Sequence, residues 1–238
     1  MVKDMIKIYG KNCIHEAIRA NQGLQKVFIS DQQASKDHSF LSLLKDKKIV
    51  YEILSKDKMN SLFGPSHQGY GAYREDYMIY DEDIVNLLDG QQNRVLILDG
   101  IMDPHNLGAI IRSVDAFGYD AIVLPKNRSC SITETVAHVS TGAIEWVKLA
   151  YVNSLSNFIN TLKKKDFWIC GTDASGTDSI SEIDLNRNLA VIIGSEGFGM
   201  SKTLLKASDY VIKIPMVGHV NSLNASVSTG IILSNLVK

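Results

Sequence analysis

Apolar and polar positions follow two rhythms along this chain. From residue 93 on, short and nearly all-apolar runs recur as "RVLILDG", "AIVL", "FWICGT", "LAVIIG" and "YVIKIP", as strands buried on both faces of a parallel sheet require. Between the first two runs, "HNLGAIIRSVDAFG" places Leu107, Ile110, Ile111, Val114 and Phe117 at helical spacing. Asn106 is its candidate N-cap and Gly118 its candidate stop. A last helix is predicted through "NASVSTGIILSNLV". Strands alternating with helices imply an α/β fold on a parallel sheet covered by helices on both faces.

Before residue 75 the elements are shorter. Helices are predicted at "KNCIHEAIRAN" and "HSFLSLLKDK", and strands at "KVFIS", "KIVYEIL" and "YGAYR", the last preceded by the turn-rich "FGPSHQGYG". Acidic "EDYMIYDED" reads as a linker running into a short helix at "DIVNLL". The expected organisation is therefore a small α/β domain over 1–75, a linker and short helix over 76–92, and a larger α/β domain over 93–238.

Composition narrows the class. The 238 residues are 45% hydrophobic and 21% charged, as in ordinary soluble globular domains. No stretch is apolar enough for a signal peptide or a membrane span. The three cysteines form no CxxC pair, which argues against zinc and disulfides and for a reducing cytoplasm. Net charge is −1, yet residues 1–80 hold 12 Lys/Arg against 9 Asp/Glu. That lean favours a polyanionic partner for the N-terminal part.

Three stretches could carry chemistry. The glycine turn in "VIIGSEGFGMS" follows a strand as phosphate loops do, but it holds Glu196 where an anion would sit, and no lysine follows. A tight strand-to-helix connection accounts for its glycines as well. The first βα unit, "LDGIMDPHNLG", lacks the GxGxxG of dinucleotide sites. In "DPHNLGAIIRS", Arg112 faces away from the apolar stripe beside Gly108, Ala109 and Ala116. It is either a solvated surface residue or a planar clamp for a phosphodiester. In "IPMVGHVNSLNASVSTG", Ser222, Asn224, Ser226, Ser228 and Thr229 gather at a helix start, more hydrogen-bonding groups than a cap at Asn221 or Ser222 needs.

Taken together, the three stretches resemble the three motifs of the SpoU (TrmH-type) RNA 2′-O-methyltransferases of the SPOUT class, in register over residues 93–238. "IYGKNCIHEAI" and "HQGYGA" resemble the small substrate-binding domain of a subgroup that methylates a guanosine of 23S rRNA. The resemblance implies a trefoil-knotted C-terminus, a homodimer, an RNA partner and S-adenosylmethionine as cofactor, with no metal. That sulfonium ligand carries no phosphate, which suits a glycine turn containing a glutamate. Carried over, the cofactor-binding positions are Gly194, Glu196, Gly197, Ile214, Met216, Ser222 and Leu223, and the catalytic ones Asn106, Arg112, Glu196, Ser222 and Asn224. The resemblance does not identify the general base. Two other readings are a tRNA ribose methyltransferase of the same family and a catalytically idle RNA-binding module. The ~75 N-terminal residues favour rRNA over the first, and the intact motif residues argue against the second.

Overall fold

The computed structural model describes residues 5–195, 197 and 199–237. They form two compact units. The first takes residues up to Tyr77 together with Ile132–Trp146, and the second takes Met78–Ser131 and the chain from Val147 onward.

The first unit contains β1 (Met5–Tyr9), α1 (Lys11–Ala20), β2 (Leu24–Ser30), α2 (Asp31–Ala34), α3 (His38–Asp46), β3 (Tyr51–Leu54), α4 (Lys56–Phe63) and β4 (Tyr70–Glu75). Its sheet has the order β1-β4-β2-β3, with β4 antiparallel to both neighbours and β2 parallel to β3. Helix α1 forms because Cys13, Ile14, Ala17 and Ile18 share one buried face. It stops where Asn21 turns left-handed at φ 54°. In β4, a Cβ on Gly71 would come within 2.6 Å of the Phe63 ring. The glycine thus leaves room for Phe63 among Phe28 and Tyr73.

The second unit contains β5 (Ile79–Tyr80), β6 (Arg94–Asp99), α5 (Pro104–Ala116) and β7 (Ala121–Pro125). The chain then gives up 132–146, with α6 (Glu134–Val139), to the first unit. It continues through β8 (Lys148–Val152), α7 (Leu155–Lys163), β9 (Phe167–Thr172), β10 (Asn188–Gly194), α8 (Lys202–Ala207), β11 (Tyr210–Ile212) and α9 (Ala225–Asn235). The seven strands lie in the order β11-β9-β10-β6-β7-β8-β5, and every pairing is parallel. Val95, Ile97, Val123 and Ile192 face α7 and α8, where Phe158, Ile159, Leu162 and Leu204 close the core. Alternation sends Leu96 and Leu98 to the opposite face, and α5 and α9 pack against each other. Among the described residues no helix is long and apolar enough to cross a membrane.

The α/β class and the parallel sheet agree with the sequence; several details differ. The stretch expected as linker contains β5, which pairs with β8 at the sheet edge. The helix expected at "DIVNLL" is a 3₁₀ helix over Glu82–Leu87. Asp103, not Asn106, caps α5: its carboxylate accepts from the His105 and Asn106 N–H groups, and Pro104 occupies the first turn. Asn224, rather than Asn221 or Ser222, caps α9.

The segment 132–146 departs furthest from the expected continuous domain. Within the first unit, the Cys13 thiol donates to the Ala137 carbonyl at 3.5 Å and the Trp146 indole to Glu16 at 3.1 Å. The Tyr9 and His138 rings stack at 4.3 Å. Arg74 forms an ion pair with Glu145, their side chains 4% and 2% exposed. Tyr77 donates to the same carboxylate at 3.3 Å, and the Arg74 guanidinium lies 3.7 Å from the centre of the Tyr77 ring.

Candidate active site

Strand order places the site. From β6 the sheet runs one way through β7 and β8, while β10, β9 and β11 lie on its other side. Crevices form at the carboxyl ends of strands where a parallel sheet reverses direction like this. Here that edge carries the turn that follows β10.

The turn is held by its own backbone. Ser195 and Gly199 exchange two main-chain hydrogen bonds of 3.1 and 2.9 Å. A Cβ on Gly194 would lie 2.2 Å from the Gly199 carbonyl carbon and 2.3 Å from the Met200 nitrogen. Glycine is therefore required at 194 by the fold of the turn itself. Gly199 supplies the left-handed step at φ 64°. Beyond it, the Ser201 N–H donates to Asp99 at 3.0 Å and fastens the turn to the end of β6. Glu196, expected in both site roles, lies outside the described residues.

A cavity of about 260 Å³ opens on one side of this turn. Gly194, Ile214, Met216, Ser222 and Leu223 line it, as do Thr172, Asp173, Lys213, Asn221 and Ser228. A second cavity, of about 750 Å³, adjoins it, and Ser195 and Gly199 belong to both walls. Gly197, expected at the cofactor, lines only the second.

The first cavity suits a zwitterionic nucleoside with a sulfonium centre. Ile193, Ile212, Leu223 and Ile232 offer apolar surface to a base, and Gly194 and Ile214 line the cavity beside them. Asp173 accepts from the hydroxyl and N–H of Ser175 at 2.6 and 2.9 Å, and these bonds hold its carboxyl below the usual carboxylate range. The cavity thus carries an anion for a ligand's cationic part, and the Lys213 ammonium stands available for a carboxylate. Sequence reasoning missed both residues, although "TDASG" after a strand is the pattern of an aspartate that bonds its own turn.

The catalytic candidates separate. The Asn224 side-chain amide donates to the Asn106 side-chain Oδ1 at 2.8 Å, while its own oxygen accepts from Ser226 and Val227 N–H groups. One side chain thereby caps α9 and clasps α5. Ser222 is exposed at the mouth of the first cavity. Arg112 is exposed on α5 and lines neither cavity. Among the described residues no group of three or more His, Cys, Asp or Glu could hold a metal ion.

Comparison with known proteins agrees with this geometry. The sequence pattern of the SpoU rRNA Methylase family matches residues 93–234, and that of the RNA 2′-O ribose methyltransferase substrate binding family matches residues 7–77. A Staphylococcus saprophyticus protein named as a TrmH family tRNA/rRNA methyltransferase is 41% identical over 232 residues, covering 96% of this chain and 93% of its own. The SpoU methyltransferase AviRb from Streptomyces viridochromogenes, in complex with AdoMet, superposes with a TM-score of 0.81 at 20% identity over 98% of this chain and 89% of that one. An AdoMet-bound rRNA methyltransferase from Sinorhizobium meliloti gives 0.81 at 18% identity over 98% and 86%. A TrmH/SpoU tRNA modifying enzyme of A. aeolicus gives 0.55 at 28% identity over 61% and 74%. The chain belongs to the SpoU/TrmH family of RNA methyltransferases that use S-adenosylmethionine as cofactor.

Proposed function

We propose that this enzyme methylates a ribose 2′-OH of RNA, with a guanosine of 23S rRNA as the favoured target. The observation that carries the reading is the first cavity, closed by the locked turn on one side and bordered by the α9 start that the Asn106–Asn224 clasp holds. S-adenosylmethionine, when bound, supplies an electrophilic methyl group; Gly194, Ile214, Met216, Ser222 and Leu223 would hold it, with Asp173 facing its cationic part. Positioning dominates an in-line displacement. Asn106 and Asn224 fix the two loops that frame the acceptor. Arg112, exposed and always charged, clamps a phosphodiester and so sets the ribose, because a guanidinium does not surrender its proton. The Ser222 hydroxyl or a water accepts the hydrogen bond of the ribose 2′-OH and relays its proton to bulk water. Glu196 is proposed to hold the site or a dimer contact.

Length supports rRNA over tRNA. The rRNA methyltransferase from S. meliloti matches both units, whereas the tRNA modifying enzyme matches 61% of this chain. The first unit would supply RNA affinity through backbone and shape contacts. A homodimer is supported by apolar side chains left open around α9, among them Val217 at 104%, Val220 at 64% and Val227 at 50% exposure. A trefoil knot in the chain between β10 and α9 belongs to the same proposal. The three free, buried cysteines suit a reducing cytoplasm.

Methyl transfer from labelled S-adenosylmethionine to purified rRNA and to bulk tRNA, with mapping of the modified position, tests the reading. Label at a ribose of 23S rRNA is expected; label on a base, or on tRNA alone, overturns it. Arg112→Ala should abolish transfer with cofactor binding intact, and Arg112→Lys should keep a small rate with the parent pH profile. A changed pH profile would make Arg112 a base.

A further inference from the structure

The second cavity shares the turn with the first but belongs to different strands. Its walls rise from the carboxyl ends of β6, β7 and β8: Asp99 and Gly100, then Asn127 and Arg128, then Asn153 and Ser154. At about 750 Å³ it falls within the range of pockets that enclose small ligands. Its carboxylate, Asp99, already accepts from the Ser201 N–H. Its cation is open. Arg128 is exposed, and among the described residues no hydrogen bond or ion pair engages its guanidinium.

The loop that presents Arg128 is fixed on both flanks. Ser129 donates to the Pro125 carbonyl, the Cys130 N–H donates to Ile101 at 2.8 Å, and the Tyr151 hydroxyl donates to Cys130 at 2.5 Å. Arg128 itself sits at φ 61°, a left-handed conformation that favours glycine or asparagine. A charged fork is thus presented to a largely apolar cavity by a backbone that does not favour an arginine. Met102, 61% exposed, and Pro125 add apolar surface. An open guanidinium, amide and hydroxyl side chains, and an apolar patch match the phosphate, sugar and base of one nucleotide.

We propose that the second cavity binds an RNA nucleotide flanking the methylated one, with Arg128 on its phosphodiester. The common wall decides between target and neighbour. The reacting ribose must meet the cofactor's methyl group on the side of the first cavity. Ser195 and Gly199 line both cavities, so a group in the second is a neighbour of the reacting nucleotide rather than that nucleotide itself. The cavity then reads the sequence context of the methylated site. This proposal rests on the RNA methyltransferase reading, but its test does not need turnover.

Met216 lines the first cavity and Met102 the second, so methyl-labelled methionine gives each a reporter. In the full-length protein, S-adenosylmethionine should shift the Met216 methyl resonance, and an RNA tetranucleotide should shift that of Met102. Arg128→Gln should weaken the tetranucleotide at least tenfold and leave cofactor affinity within twofold. Arg128→Gly, which relaxes the backbone, should do the same, so a loss cannot come from misfolding; Arg128→Lys should recover part of it. A Met102 resonance that RNA leaves unmoved, or RNA affinity within twofold in both neutral variants, overturns the proposal. Binding at Met102 that depends on Arg128 sustains it even if no ribose is methylated. Methylation with an unchanged KM for RNA in Arg128→Gln sinks it and leaves the proposed activity standing.

Discussion

In the first unit a distant segment is held by buried charge: Arg74 and Glu145, both nearly inaccessible, meet beside the Tyr77 ring. In the second, the turn that walls both cavities is held by main chain, with Gly194 pressed against Gly199 and Met200. Burying a charge costs several kcal/mol and is offset only while the partner stays in place. A backbone lock carries no such risk, leaves side chains free for ligands, and forbids even one added carbon. The unit that carries the chemistry uses the lock, and the unit expected to dock substrate uses the pair. Catalytic geometry therefore rests on the holding device that is less sensitive to pH and salt.

Removing one partner of the pair should have the largest effect. Glu145→Ala leaves Arg74 buried and uncompensated, which should cost about 3–5 kcal/mol in urea unfolding. The double variant Arg74→Met with Glu145→Leu should lose far less. Equal losses would mean that the site tolerates a lone charge. For the lock, Gly194→Ala should weaken S-adenosylmethionine more than a hundredfold in calorimetry, about 2.7 kcal/mol, with the secondary structure retained. Normal cofactor affinity there would erase the contrast between the units. Asn224→Ala removes the α9 cap and its bond to Asn106; it should cost about 1 kcal/mol of stability and a larger share of methyl transfer. A stability loss with unchanged turnover would reduce the clasp to a cap.

The smallest expected effect is a pH dependence confined to the first unit. Hydrogen bonds from Lys11 and Tyr70 hold the Asp37 carboxyl well below its ordinary value of 3.8. A lowered carboxyl stabilises the fold above that value, and the contribution fades as pH falls through its folded value. Burial pushes the Glu145 carboxyl up, so its contribution has the opposite sign: it is full below the ordinary value and lost as pH rises. The difference in unfolding midpoint between wild type and Asp37→Asn cancels Glu145. It should be widest near pH 5 and shrink toward pH 3.

What the sequence revealed follows from where each signal resides. Strands β6, β7 and β10 were legible because both faces are buried and their runs are unbroken. Strand β8, "KLAYV", was not, because Lys148 and Tyr151 are only half-buried. The α5 cap could have been read from "DP", since proline favours the first helical position and aspartate the one before it. "NSLNAS" offers four capping residues within six, and only the folded chain selects Asn224. The motif residues around the first cavity lie close in sequence, so a family resemblance reaches them. The second cavity joins the loops after β6, β7 and β8 to the turn after β10, and a left-handed φ at Arg128 leaves no mark on composition.

Glu145 follows Arg74 by 71 residues, and this has a consequence for synthesis. At ~5–20 residues per second a ribosome makes that stretch in about 4–14 s. Throughout that interval the N-terminal strands and helices lack the carboxylate that completes their interior. The nascent chain must also begin the second unit, from β5 to β7, before it can finish the first. The first unit is complete only once Trp146 is made, in the middle of the second, so a cut after residue 75 parts Arg74 from Glu145.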